Sequence, residues 1–197
     1  MIKINSGLCR GLKLKSPKGS HTRPTASRTR EAVLNAIQHR LEDAIFFDLF
    51  CGSGAMGIEA LSRGAKTAYF FDNSKDAIQV LRHNLALVKE RSDRSSVAMT
   101  THLVSGELPG CLNRVKGAVQ ADIVWLDPPY ADAKVFLSRH GLRMMDFLTS
   151  DGLLIVETGK ALQAFFETEL KETFEGIANL ETLKTYGQTL ITTFRKG

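Results

Sequence analysis

Short apolar runs, each followed by a turn and an amphipathic stretch, repeat along the chain from residue 44 onward. The apolar runs predict buried strands at residues 45–49, 68–71, 97–104, 122–126 and 153–156. Amphipathic spacing predicts helices around residues 58–61, 76–89, 108–115, 133–148 and 162–170, with a loop at 89–96. Strands that alternate with helices are typical of a parallel sheet covered on both faces.

The C-terminal end departs from this alternation. Apolar runs at residues 180–185 and 189–194 predict two strands, and the connection between them is too short for a parallel crossover. These two strands should therefore pair antiparallel. The predicted fold is α/β, a doubly wound, mainly parallel Rossmann-like sheet with an antiparallel last strand.

The N-terminal end predicts a small appendage. Residues 2–4 and 12–14 alternate with period two on either side of a turn, which indicates a β-hairpin. Ser27 is a candidate N-cap for the helix that follows. We expect residues 1–25 to form a hairpin extension and residues 26–197 to form the main domain.

A glycine-rich turn follows the first strand of the main domain. Residues 52–57 read Gly-Ser-Gly-Ala-Met-Gly and lie between a predicted strand and helix, where the backbone can approach a cofactor. Asp72 lies 20 residues beyond Gly52, at the end of the second strand, and could accept both ribose hydroxyl protons. Asp48 would repel a pyrophosphate but suits an ammonium, which favours S-adenosylmethionine over a nicotinamide dinucleotide. Alternatively, the glycines serve only strand–helix packing.

Residues 127–130, Asp-Pro-Pro-Tyr, follow the fourth strand and should lie at the same carboxyl edge of the sheet as the glycine turn. The Asp127 carboxylate and the Pro128 carbonyl can accept hydrogen bonds from an exocyclic base amine and so direct its lone pair. Pro128 and Pro129 stiffen the loop, and Tyr130 can stack on an extruded base. This chemistry suits amines of guanine and adenine equally. Alternatively, the two prolines only stop the strand.

The net charge of +5 is concentrated in the first forty residues, which carry nine Lys or Arg and one acid, Glu31. A basic segment of this kind favours a polyanionic partner, although a solvated tail would look similar. The candidate phosphate contacts are Arg10, Lys13, Lys15, Lys18, Arg23, Arg28 and Arg30. Because Arg28 and Arg30 point in different directions on a helix, one of them could instead support the fold by pairing with Glu31 or Asp43.

Other features narrow the class of protein. No signal-peptide pattern or apolar run of membrane-spanning length is present, and three scattered cysteines fit a reducing cytoplasm. The five histidines lack ligand spacing, so no metal is expected. We interpret Trp125 as a core residue and Asn84 as a surface polar group.

Several segments together resemble a known family. Residues 48–54, Asp-Leu-Phe-Cys-Gly-Ser-Gly, and the Asp-Pro-Pro-Tyr loop are similar to class I methyltransferases that act on exocyclic amines. Residues 19–25, the Arg28–Asn35 stretch, residues 57–65 and residues 184–187 narrow the resemblance to the bacterial family that methylates a guanine N2 amine of 16S ribosomal RNA. The similarity covers nearly the whole chain.

This resemblance implies a seven-stranded domain with a hairpin extension, S-adenosylmethionine as methyl donor, and 16S RNA in an assembled small-subunit particle as substrate. The implied cofactor-binding residues are Asp48, Phe50, Gly52, Ser53, Gly54, Asp72 and Asn73. Asp127 and Tyr130 would hold the guanine. Asp72 replaces a frequent Glu, and whether Ser105 or Glu107 contacts the adenine of the cofactor stays open.

Two rival functions remain at this point. A DNA adenine-N6 methyltransferase would use the same loop, although 197 residues leave no room for a separate target-recognition domain. A noncatalytic RNA-binding assembly factor would not need an intact cofactor site. We expect a cytoplasmic, membrane-free and monomeric enzyme.

Overall fold

The computed structural model describes residues 1–18 and 24–197, and only the backbone of residues 24–26 within that range. The described chain divides into two compact units, Met1–Arg114 and Val115–Gly197. The boundary that we expect at residue 25 stays a prediction.

The first unit contains the predicted hairpin and three strands that alternate with helices. Its elements are β1 (Ile2–Lys3), β2 (Lys13–Leu14), α1 (Pro24–Ala36), β3 (Ile45–Leu49), α2 (Ala55–Ser62), β4 (Thr67–Asp72), α3 (Lys75–Ser95) and β5 (Thr100–Ser105), with 3-10 turns at Gln38–Arg40 and Gly110–Arg114. The β1 and β2 strands pair antiparallel. Both β3 and β5 pair in parallel with β4, which therefore lies between them.

The second unit contains four strands and a predominantly helical segment. Its elements are β6 (Ala121–Leu126), α4 (Ala133–Met145), β7 (Leu148–Gly159), a 3-10 turn (Lys160–Leu162), α5 (Gln163–Phe165), a π-helical turn (Phe166–Leu170), α6 (Lys171–Thr173), β8 (Ala178–Tyr186) and β9 (Thr189–Lys196). The β6 and β7 strands run parallel, whereas β9 is antiparallel to both β7 and β8.

The seven longer strands follow the sheet order β5-β4-β3-β6-β7-β9-β8. The predicted fold class, α/β with a mainly parallel seven-stranded sheet and antiparallel last strands, is thereby confirmed. The small two-stranded sheet of β1 and β2 confirms the hairpin.

Several predicted boundaries are wrong. The α1 helix begins at Pro24, so Ser27 lies inside it and is not its N-cap. Proline is well suited to a first helical turn because the missing N–H would have no intrahelical partner there. The α3 helix continues to Ser95 through the stretch that we predicted as a loop, and the hydroxyl of the buried Ser92 donates to the Val97 carbonyl just beyond the helix end at 2.5 Å. The following strand consequently starts at Thr100 instead of residue 97.

Other segments differ in length or type. The predicted helix at 108–115 is a 3-10 turn, and the helix predicted over 162–170 is broken by the π-helical turn. The α4 helix ends at Met145, three residues before the predicted end, because β7 begins at Leu148. The β7 strand is longer than its apolar core, since seven of its residues pair with β9.

The N-terminal extension is anchored to the end of α2. Leu8 N donates to the Ser62 carbonyl at 2.7 Å, and Cys9 N donates to the Ser62 hydroxyl at 2.8 Å. Ser62 in turn donates to the carbonyl of Ser6. Ile4, Cys9 and Leu14 are fully buried, so the extension adds apolar side chains to the core of the first unit.

A buried ion-pair network connects α1 to α2. The Glu59 side chain has no exposed surface, and its two oxygens accept from Arg30 Nε at 2.7 Å and Arg63 Nη2 at 3.0 Å. Arg30 also donates to the Lys3 carbonyl at 2.9 Å. Removal of one partner would leave a buried charge without compensation, which makes such networks costly to break.

Gly7 and Gly11 provide a test of the anchored extension. Both have positive φ, +75° and +85°, but a Cβ at Gly7 would lie 1.7 Å from the Ser62 carbonyl oxygen, whereas a Cβ at Gly11 would meet nothing within 4 Å. We expect Gly11→Ala to lower the free energy of unfolding by about 1 kcal/mol through backbone strain alone. Gly7→Ala should cost at least ~2 kcal/mol more, because the extension must move. Urea unfolding measures both, and equal losses would contradict the close approach.

Candidate functional site

Three residues between β3 and α2 adopt left-handed backbone conformations: Phe50 (φ 59°), Gly52 (φ 52°) and Gly54 (φ 76°). The loop is tied to β4 because Cys51 N donates to the Phe71 carbonyl at 3.1 Å. A Cβ at Gly54 would lie 2.4 Å from Leu81 Cδ1, so close packing as well as φ requires glycine there. The predicted glycine turn is thus a tight loop that leads into the N-terminus of α2.

The Asp72 carboxylate holds this loop from the end of β4. Its Oδ2 accepts a hydrogen bond from Gly52 N at 2.9 Å, and its Oδ1 accepts one from Ser74 N at 2.8 Å. Each carboxylate oxygen can accept a further hydrogen bond, so the same group could still receive hydroxyl protons. The predicted ribose-binding acid therefore also has a structural role.

Asp48 lies within β3, one residue before its end, and is almost fully buried. Its Oδ2 accepts from Gly57 N at 2.9 Å, which satisfies one of the free N–H groups in the first turn of α2. Burial raises the pKa of this carboxyl from 3.8 to about 8, although the Gly57 hydrogen bond opposes the shift. Without a nearby cation the group is therefore mostly protonated at pH 7.

The remaining predicted cofactor residues differ in exposure. Ser53 is buried, Phe50 is half-buried and Asn73 is exposed. The Ser53 carbonyl accepts from Asn84 Nδ2 at 2.8 Å. Asn84 is fully buried, so the interpretation of this residue as a surface polar group is wrong.

The Asp-Pro-Pro-Tyr loop of the second unit connects β6 to α4. Pro128 is buried, whereas Tyr130 is 50% exposed. The Tyr130 hydroxyl lies 3.3 Å from Thr189 Oγ1. Gly159 lies under the edge of the ring, since a Cβ there would be 3.4 Å from Tyr130 Cδ2. An aromatic ring that is fixed at its hydroxyl and still half exposed can serve as a stacking surface.

Glu157 is an ionisable residue close to Tyr130 of the Asp-Pro-Pro-Tyr loop, and we did not predict it from the sequence. It lies in β7, and burial raises its pKa from 4.5 to about 7, although its interaction with the nearby Tyr130 hydroxyl opposes the shift. The pKa of Tyr130 is raised in turn, chiefly by burial and also by the nearby Glu157 and Asp127 carboxyls. The signal in the sequence was an acid that directly follows the apolar run 153–156 within the same strand.

Most of the predicted phosphate contacts are exposed. The exposed members are Arg10, Lys13, Lys15, Lys18 and Arg28. Arg23 lies outside the described residues. The prediction for Arg30 is wrong, because its side chain is 8% exposed and pairs with Glu59. Its role is to support the fold, with Glu59 as partner instead of Glu31 or Asp43.

Other expectations concern metals, cysteines and membranes. The three cysteines are buried and free, and Trp125 is a core residue as predicted. Within the part of the chain that the structure describes, no cluster of three or more potential ligands could hold a metal ion. None of the described helices combines the length and apolar character needed to span a membrane.

Comparisons with known proteins identify the family. The family model described as conserved hypothetical protein 95 matches residues 2–195. The ribosomal RNA small subunit methyltransferase D of Escherichia coli K12 is 33% identical, with 80% of this chain and 74% of the relative covered. The protein of the same name from Haemophilus influenzae is 30% identical, with 81% and 79% covered. The chain belongs to the ribosomal RNA small subunit methyltransferase D family.

A solved structure supports the fold of this family member independently. A hypothetical protein of Thermus thermophilus superimposes with a TM-score of 0.75 at 22% identity and covers 98% of both chains. The family model and the curated relatives confirm the resemblance drawn from the sequence motifs, and the solved structure supports the fold.

The raised pKa of Asp48 predicts how the stability of this methyltransferase family member depends on pH. Because the folded pKa of about 8 exceeds the unfolded value of 3.8, the native state binds more protons between these values and loses stability as the pH rises. Asp48→Asn keeps an acceptor for Gly57 N without the titration. We expect this variant to gain stability relative to the wild type between pH 5 and pH 8, as measured by urea unfolding without cofactor. Glu42→Gln, at an exposed acid, is the control, and identical pH profiles for wild type and Asp48→Asn would contradict the assignment.

Proposed function

We propose that this protein transfers a methyl group from S-adenosylmethionine to the exocyclic N2 amine of a guanine in 16S ribosomal RNA, within an assembled small-subunit particle. Family membership supports a methyltransferase that acts on ribosomal RNA. The observation that carries the proposal is the Tyr130 ring, which is held through its hydroxyl, half exposed and adjacent to the Asp127 acceptor.

The first unit offers residues that fit S-adenosylmethionine. The glycine loop brings bare backbone to the N-terminus of α2, and the Asp72 carboxylate at the end of β4 retains acceptor capacity for two ribose hydroxyls. Asp48 would face the ammonium of the methionine end, where a positive charge would lower its raised pKa and favour the charged carboxylate. When bound, the cofactor supplies a methyl group already activated by a sulfonium.

Asp127 and Pro128 would orient the exocyclic amine of the base for attack on the methyl group. Its lone pair is delocalised into the base, so two acceptors for its N–H groups favour a pyramidal nitrogen that can attack the methyl carbon. The amine nitrogen would take the methyl group from the sulfonium, and the Asp127 carboxylate or water would accept the proton that the methylated amine then loses. Positioning therefore carries most of the rate enhancement, and Tyr130 would hold the base by stacking.

The exposed basic residues of the N-terminal segment would bind RNA phosphates. Lys13, Lys15 and Lys18 lie within six residues of one another on the extension, and Arg28 lies on α1. Contacts of this type contribute affinity and salt dependence instead of base choice.

Arg28 and Arg30 form a matched pair of test positions, because the two residues lie on one helix and differ mainly in burial. Arg28→Ala should weaken RNA binding and reduce the salt slope of log Kd by about 1. Its stability should change by no more than ~0.5 kcal/mol. Arg30→Ala should instead lose about 3 kcal/mol of stability because Glu59 keeps only one partner. Filter binding across a salt series and urea unfolding separate the two effects, and an Arg28→Ala variant with unchanged RNA affinity would contradict the proposed contact.

Product identification tests the reaction itself. The protein is incubated with labelled S-adenosylmethionine and naked 16S RNA, small-subunit particles lacking this methylation, or duplex DNA, and the nucleosides are then separated. We expect N2-methylguanosine from the particle. N6-methyladenosine, or label in DNA alone, would replace the proposal with an adenine-N6 methyltransferase, and no label in any substrate would favour a noncatalytic RNA-binding factor.

Asp127→Ala should lower the rate of transfer by at least about 100-fold, because the amine loses the acceptor that positions it. Cofactor affinity, measured by calorimetry, should stay within about threefold of the wild type. Asp132→Ala is the matched control, since it removes an exposed carboxylate five residues further along the chain. A variant at Asp127 that loses cofactor binding would show that this carboxylate has a different role.

A further inference from the structure

One buried amide links the basic extension directly to the glycine loop. Asn84, on α3, has no exposed surface. Its Oδ1 accepts from Lys15 N at 2.9 Å, while its Nδ2 donates to the Lys15 carbonyl at 3.0 Å and to the Ser53 carbonyl at 2.8 Å. A single side chain therefore binds both backbone groups of a residue in the extension and one backbone group of the glycine loop.

The backbone and the side chain of Lys15 lie in different environments. The neighbouring Leu14 is fully buried, and the Lys15 backbone is held by Asn84, but the Lys15 side chain is exposed among the basic residues of the extension. A phosphate that binds this side chain would therefore act on a backbone segment that Asn84 connects directly to the Ser53 carbonyl of the glycine loop. The amide can face Lys15 in only one orientation, since the N–H needs an acceptor and the carbonyl needs a donor.

The α3 helix supports both ends of this link. Leu81, one turn before Asn84 on the same helix, packs against Gly54 so closely that a Cβ there would lie 2.4 Å away. At the start of the helix, Asp76 Oδ2 accepts from Lys18 N at 2.7 Å. The extension and the glycine loop thus both contact the same helix.

We propose that Asn84 is a positioning residue that couples RNA binding at Lys13, Lys15 and Lys18 to cofactor binding at the glycine loop. The inference rests on the proposed function and adds a regulatory property to it. RNA on the extension favours the arrangement in which Asn84 binds both Lys15 and Ser53, and the cofactor binds the glycine loop in that same arrangement. Thermodynamic linkage then requires the cofactor to strengthen RNA binding by the same factor.

A binding cycle tests this coupling. S-adenosylhomocysteine, which cannot donate a methyl group, is titrated into the full-length protein with and without saturating small-subunit particles that lack the modification. For the wild type we expect the Kd of S-adenosylhomocysteine to fall by about fivefold or more when RNA is bound. Asn84→Ala should bring this ratio close to 1. Gln79→Ala, which removes an exposed amide from the same helix, should keep the wild-type ratio.

A second variant covers the case in which Asn84→Ala does not fold, as judged by circular dichroism and thermal unfolding. The variant with Lys13, Lys15 and Lys18 all changed to Gln alters exposed side chains only, and at saturating RNA it should also show a ratio close to 1. A wild-type ratio in either folded variant, or a wild-type protein without any RNA effect, would overturn the coupling. An absence of S-adenosylhomocysteine binding to the wild type would instead overturn the proposed function, and the coupling with it.

Discussion

The hydrogen bond from Gly52 N to the Asp72 carboxylate is the contact on which the arrangement of the first unit depends. Phe50 adopts a left-handed conformation that is unfavourable for a residue with a Cβ, so the loop persists only because its neighbours hold it. Cys51 N and Gly52 N are bound by Phe71 and Asp72, which end the partner strand. The parallel register, in which Leu49 pairs with Phe71, brings these groups together. A slip of one residue in that register would release both contacts and the start of α2.

Other buried polar groups of this unit also hold neighbouring segments in place through hydrogen bonds. Asp48, Glu59 and Asn84 are all buried, and each forms hydrogen bonds with groups on another helix, strand or loop. A buried polar group is costly unless it is satisfied, and a satisfied one specifies a single arrangement of its neighbours. The glycine loop is therefore positioned by specific hydrogen bonds as well as by apolar packing, which is the property that a cofactor-binding loop needs.

The sequence predicted the strands, the glycine turn and the Asp-Pro-Pro-Tyr loop because each is a local pattern of adjacent residues. It could not predict the contacts of Asn84 with Lys15 or of Glu59 with Arg30, since these partners lie 69 and 29 residues away. The misplaced N-cap at Ser27 has a related cause. Ser27 is a good local cap, but Asn5 of the extension donates to its hydroxyl at 3.3 Å while the helix begins three residues earlier. Long-range polar contacts were thus the part of the fold that composition and periodicity left undetermined.

The C-terminal hairpin of the second unit contacts the tyrosine that we propose as a stacking surface for the base. Because β9 runs antiparallel to β7, Thr189 pairs with Gly159, and these two residues contact the hydroxyl and the ring edge of Tyr130. A Cβ at position 159 would already lie in van der Waals contact with the ring, 3.4 Å from Tyr130 Cδ2, and a parallel strand would place a different residue opposite Gly159. The antiparallel strand therefore determines where Tyr130 can lie, and the reversal of strand direction at the end of the sheet is part of the stacking surface that the proposed reaction requires.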